Sequence, residues 1–252
     1  MKYLVSIAIL VTGLSTTLLQ AQTIKWEDSL SQATVYLHID AEDFKEHPHR
    51  SSAAYDVIET PAEFHETILS ITNKTLRKYT SDVLDRHVEK LYLYDQFDKG
   101  NDLMGVYRGK HGFLFAIPYL DNGQVDTLDL ERVIHHEISH RLQMFEGKGF
   151  DLKSWKKNNT LKYGEIKSNN RDFAPDLYDK GFINKYAVMN KFEDFAAFAE
   201  NIFINKPAFW NAIDSHTALR NKFEIICEYY ESLDPIMNRD YFLEMNGVTF
   251  SP

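Results

Sequence analysis

Residues 128–145 read LDLERVIHHEISHRLQMF. The run contains no Pro and no Gly, and Leu130, Val133, Ile134, Ile138, Leu142 and Phe145 recur at helical spacing. Asp126 or Thr127 can cap its start, and Gly147 and Gly149 stand just past its end. The pattern predicts a helix. Within it, His136-Glu137-Ile138-Ser139-His140 is an H-E-x-x-H pentapeptide. On a helix, positions i and i+4 sit about 40° apart in azimuth and about 6 Å apart along the axis. Both imidazoles therefore leave one face and can converge on one Zn²⁺. Glu137 projects roughly 100° from His136, beside the metal rather than on it, where a carboxylate can take a proton from an activated water. The competing reading is a pair of histidines on a solvated face, and the helical context weighs against it.

A catalytic zinc site wants three protein ligands and an open position, so the pentapeptide is one ligand short. A third histidine nearby would read H-E-x-x-H-x-x-G-x-x-H. Here Gln143 stands at the Gly position and Glu146 at the last His. Glu146, on a continued helix, would point about 80° away from His136. A carboxylate on a second helix is the better candidate. Residues 191–204 read KFEDFAAFAENIFI, with Phe195, Phe198, Ala199 and Ile202 as an apolar stripe. Glu193, Ala197 and Glu200 share another face. A Glu among Phe and Ala needs a partner. Metal coordination is one way to supply it, and a salt bridge to Lys191 or plain solvation is the other.

The order H-E-x-x-H, then Gly181-Phe182-Ile183-Asn184-Lys185-Tyr186-Ala187, then Glu193-Asp194-Phe195-Ala196 resembles the zinc metallopeptidases of bacterial secreted proteins and lipoproteins. These are similar to the lethal-factor-like gluzincins. The resemblance spans roughly residues 130–204. It implies an α+β, zincin-like fold with a small mixed sheet, an active-site helix carrying H-E-x-x-H, and a second helix carrying a Glu ligand. It implies a Zn²⁺ cofactor, with His136 and His140 as ligands, Glu193 as the third ligand and Glu137 as the base. It also implies Tyr186, seven residues before Glu193, as the donor to the oxyanion. Without the resemblance, Tyr186 is one of 14 tyrosines and has no special role. The departure is at Ala197, where the family usually carries an acid that orients a zinc histidine. Glu200, one turn further on the same face, is the substitute to look for.

The N-terminus suggests the compartment. Met1-Lys2 is followed by YLVSIAILVTGLSTTLL and then Gln20-Ala21-Gln22. This is a basic start, an apolar stretch and a small residue for cleavage, the pattern of a signal peptide over residues 1–21. No Cys lies near the junction to take a lipid anchor. The expectation is a secreted or periplasmic protein without stable membrane insertion after cleavage. The net charge is −9, and removal of Lys2 makes it one unit more negative. That argues against a nucleic-acid or anionic-membrane surface. Cys227 is the only cysteine, so no intrachain disulfide can form. Its neighbours, Phe223 to Ile226, read as a buried helix face.

Residues 22–252 are expected to form one domain, with a sheet-containing lobe to about residue 145 and a helical lobe after it. Residues 34–39, 90–94, 103–108 and 113–117 are strand candidates. The last three predict a meander ahead of the metal helix, with an edge strand along the cleft that can pair with an extended substrate. Thr60-Pro61-Ala62-Glu63 reads as a capping box opening a helix to about residue 79. Residues 156–180 read as a polar loop, either a wall of the site or ordinary surface, and residues 216–233 as a last helix before a short tail. The function expected is zinc-dependent hydrolysis of a peptide or protein. The rival is a catalytically silent relative that binds protein or glycan, motivated by Ala197 and opposed by the intact Glu137. A deformylase-like hydrolase would need a Cys ligand, and Cys227 lies in no matching motif.

Overall fold

The computed structural model describes residues 24–27, 31, 33–37, 60–95, 105–107, 112–145 and 149–250. The expected leader and Glu146 lie outside the described residues. Strand placement follows from burial. In β5 (Phe113–Ala116), three successive residues, Phe113, Leu114 and Phe115, are buried, so both faces of this strand are covered. An interior position follows. The sheet runs β1 (Ile24–Glu27), β2 (Thr34–Leu37), β3 (Lys90–Tyr94), β5, β4 (Gly105–Tyr107). β2, β3 and β5 are parallel, with Val35 beside Leu91 and Leu91 beside Phe113. β1 and β4 are antiparallel strands at the two edges. The expected meander is therefore corrected. β3 and β5 are parallel neighbours, and β4 lies outside β5 instead of between them.

The edge strand β4 runs against the metal helix. That helix is α3 (Thr127–Phe145) in the order α1 (His65–Leu76), α2 (Ser81–His87), α3, α4 (Leu152–Lys157), α5 (Lys191–Phe203), α6 (Pro207–Ser215), α7 (Thr217–Leu233), α8 (Arg239–Asn246). A Cβ added at Gly105 would lie 2.7 Å from Val133 Cγ1 and 2.8 Å from Glu137 Cγ. Only a glycine lets backbone come this close. α3 begins as expected, with Asp126 Oδ1 accepting from the Asp129 N–H at 3.0 Å. Leu130, Val133, Ile134, Ile138 and Leu142 form its buried face. α3 packs on α5, α1, β4 and β5.

Elsewhere the ends of elements differ from expectation. The capping box at Thr60 does not form. Thr60 Oγ1 is buried without a hydrogen-bond partner, a 3-10 turn (Ala62–Phe64) precedes α1, and α1 stops at Leu76. The tail after α7 contains α8, capped by Asn238 and closed by Gly247 in the left-handed region at φ 62. The polar stretch 156–180 holds the end of α4 and a 3-10 helix (Pro175–Lys180). α7 buries Leu219, Phe223, Ile226, Cys227 and Tyr230. Burial pushes the Cys227 thiol well above its ordinary range, as expected of inert core.

Candidate metal centre

α5 is an interior helix, buried at every residue from Asp194 to Phe203. Its start is fixed by Asn190, whose side chain accepts from the N–H groups of Phe192 at 2.8 Å and Glu193 at 3.1 Å. The next anchor is Asp194. Its carboxylate accepts from Trp155 Nε1 at 2.7 Å, Tyr163 Oη at 2.7 Å, Asn159 Nδ2 at 3.3 Å and Lys222 Nζ at 2.7 and 2.9 Å. Lys222 is wholly buried, donates also to Gly181 O at 2.5 Å, and lies over the rings of Trp155 and Phe182. A buried ion pair with every oxygen engaged holds α4, α5, α7 and the intervening loop in one register. Glu193, one residue earlier, inherits that placement.

α3 and α5 together bring the expected residues to one point. The ring centroids of His136 and His140 are 4.6 Å apart, with their planes at 89°. The ligand atoms of His136, Glu137 and His140 lie within 4.8 Å of one another. Glu193 Oε2 lies 3.1 Å from His136 Nε2 and 3.4 Å from His140 Nε2. Two imidazole nitrogens and one carboxylate oxygen thus face a common centre, a donor set that suits zinc. His136 is buried, whereas His140 and Glu193 are each 17% exposed, which leaves the centre open on their side.

The place vacated by an acid at Ala197 is taken by Glu200. Its fully buried Oε2 accepts from His136 Nδ1 at 2.8 Å. This fixes the ring and leaves Nε2 for the centre. Burial alone would pull the His136 pKa down, but hydrogen bonds to Glu193 and Glu200 outweigh it and lift it to about 9. Burial raises both acidic carboxyls of α5, but His136 and His140 hold Glu193 below its ordinary range, and His136 with Arg171 and Arg132 does the same for Glu200. An imidazole set between two carboxylates favours a positive charge there, and a divalent cation supplies one.

Tyr186 starts the 3-10 turn Tyr186–Val188 just ahead of α5, with its ring centroid 5.9 Å from that of His136. Burial and the Glu193 carboxylate push its phenol up to about 12, against a downward pull from Arg171. Two other tyrosines of this region are engaged elsewhere. Tyr163 is bonded to Asp194, and Tyr178 packs edge-on against His216 at 5.2 Å. Sequence reasoning missed Arg171, Gly105 and the Asp194–Lys222 pair. Lys222 carried a legible signal, since it falls on the apolar stripe of Leu219, Phe223 and Ile226 and so demanded a buried partner. Arg171 sits in an aperiodic polar stretch and carried none.

Residues 91–233 match the model of a family described as "Putative zinc-binding metallo-peptidase". The match runs from β3 through α7 and includes every residue of the centre. No curated protein matches the chain. Among solved structures, a "putative zinc-binding metallo-peptidase" from Bacteroides caccae ATCC 43185 is similar, at 16% identity and a TM-score of 0.45 over 71% of this chain and 77% of that one.

Proposed function

The chain belongs to this zinc-binding metallo-peptidase family, and we propose that it hydrolyses peptide bonds as a zinc-dependent endopeptidase of the lethal-factor-like gluzincin kind. The observation that carries the reading is Glu193 Oε2, set 3.1 and 3.4 Å from the two Nε2 atoms of the H-E-x-x-H helix. In this reading His136, His140 and Glu193 would hold Zn²⁺. Zinc held there would supply Lewis acidity to an attacking water and to the scissile carbonyl. Glu137 takes the proton of that water and later hands it to the departing amine. The Tyr186 hydroxyl donates to the oxygen that becomes negative as the carbonyl carbon turns tetrahedral. Glu200 keeps the His136 ring oriented through Nδ1.

The rival reading, a catalytically silent relative that binds protein or glycan, rests on the acid missing at Ala197; the bond from His136 Nδ1 to Glu200 supports the enzyme reading against it. The residue 1–21 pattern supports export to the periplasm or medium, and N-terminal sequencing of the secreted protein tests it. No helix among the described residues is long and apolar enough to cross a membrane. The deciding experiment combines metal analysis with a peptide screen. Purified protein is expected to hold about one zinc per chain, lost in His136→Ala and Glu193→Ala, and to cleave members of a diverse peptide library. Full zinc retention in Glu193→Ala would assign the third ligand elsewhere. A zinc-loaded protein that cleaves nothing would favour the binding role.

A further inference from the structure

Arg171 comes from the polar stretch ahead of Tyr186 and has no part in the scheme above. Its guanidinium carbon lies 4.7 Å from the centroid of the Tyr186 ring. The segments that carry the two residues are paired. The Tyr186 N–H donates to Asn170 O at 3.0 Å, and Asn184 Nδ2 donates to Arg171 O at 3.3 Å. Asn184 is wholly buried, and its Oδ1 accepts from the Ala187 N–H at 2.8 Å. An antiparallel bridge between Phe173 and Asn184 closes the same ladder. The chain on either side of Arg171 is therefore stapled to the chain on either side of Tyr186.

One nitrogen of the guanidinium is enclosed. Nη1 is buried with no hydrogen-bond partner, which is costly for a polar group unless its surroundings compensate. Glu200, Tyr186 and Glu137 supply the compensating charge and dipole, and Asp129 on α3 also feels the cation. A nitrogen so enclosed does not meet a substrate. The guanidinium carbon lies over the Tyr186 ring.

We propose that Arg171 is a positioning residue, whose planar guanidinium clamps the Tyr186 ring and so fixes the direction in which its hydroxyl donates. This rests on the reading of Tyr186 as oxyanion donor. A donor contributes to a transition state in proportion to how firmly it is aimed beforehand. Tyr186 needs such a clamp, because it stands half-buried on a single 3-10 turn and not within a helix. An ammonium can also lie over a ring, but only a planar guanidinium offers it a surface that fixes its tilt.

The test is a double-mutant cycle on the full zinc-loaded chain with a cleavable peptide, joined to a measurement that needs no turnover. Arg171→Met keeps most of the stem and removes the clamp. It is expected to lower kcat about 10–100-fold, with KM and zinc content unchanged. In a Tyr186→Phe background the same substitution is expected to change kcat no further. Arg171→Lys is expected not to rescue, and it carries the same cycle should Arg171→Met fail to fold. In zinc-free protein with ¹³Cζ-labelled tyrosine, the Tyr186 resonance, identified by its loss in Tyr186→Phe, is expected to move in both Arg171 variants. Equal losses in both backgrounds, a loss confined to KM, full rescue by Lys, or an unmoved resonance would each overturn the proposal. If Tyr186→Phe alone leaves kcat intact, the catalytic reading of Tyr186 fails instead, and the resonance still reports whether Arg171 orients the ring.

Discussion

In the proposed mechanism Glu137, Tyr186 and Glu200 each make a separable contribution to the centre. Glu137→Gln keeps the size of the side chain and removes its basicity, so zinc content should hold while kcat falls about 10²–10⁴-fold, the usual range for a general base. Retained turnover in that variant would move the base elsewhere. Tyr186→Phe removes one donor, and kcat is expected to fall about 10²–10³-fold with KM and zinc unchanged. A variant that loses stability but keeps its activity per folded molecule would make Tyr186 a packing residue. Glu200→Gln removes the negative partner of His136 Nδ1. Zinc affinity, read by competition with a chromogenic chelator, should drop about 10–100-fold. Unchanged affinity would show that His136 is oriented by packing alone. The histidines and Glu137 were legible in the sequence, because four residues of spacing on a helix dictate a shared face. The partner of His136 was not, because position 197 or 200 can serve only according to where α5 sits against α3.

Between elements, the decisive link is the Asp194–Lys222 pair. It binds α5 to α7 at 2.7 Å and gathers Trp155, Asn159 and Tyr163 on the same carboxylate. Lys222→Met should leave Asp194 charged, buried and short of its cation. The expected loss is about 3–5 kcal/mol of stability, measured by urea unfolding. Lys222→Met combined with Asp194→Asn should recover part of it, because the orphaned charge is then gone. A loss below about 1 kcal/mol in the single variant would mean that the pair does not hold the helices together. The edge strand β4 is the other such link. Gly105 brings its backbone against Glu137, an approach that the apolar pattern of the sequence could not reveal.

At the scale of the molecule, α1, α3 and the end of α5 are tied across the core by Lys78. It pairs with the buried Glu131 at 2.6 Å and donates to Phe203 O, while Lys74 reaches the other Glu131 oxygen at 3.3 Å. Burial opposes ionisation of Glu131, but the Lys78 ammonium against it and the His135 ring, 3.9 Å away, prevail and hold the carboxyl down at about 2. A carboxyl whose folded pKa is depressed contributes stability above its unfolded value, near 4.5, and loses it as pH falls toward 2. Glu131→Gln should therefore cost about 2–3 kcal/mol at neutral pH. The gap from the parent protein should close between roughly pH 4.5 and pH 2. A gap that stays constant across that window would show that the charge of Glu131 is not what stabilises the fold.

Read alone, the sequence determined the helix of the H-E-x-x-H pentapeptide, the shared face of its two histidines, the place of Glu137 beside them and the second helix with its acids. These depend on periodicity and capping within a single segment, where geometry follows from spacing. Only the tertiary structure decided that Glu193 meets both imidazoles, that Glu200 stands in for the acid absent at Ala197, and that Arg171 faces Tyr186. It also decided the strand order, which turns on β5 being buried on both faces. All of these are contacts between segments far apart in the chain. They are set by how helices and strands pack to bury their apolar faces and pair their buried charges, and no local pattern encodes that.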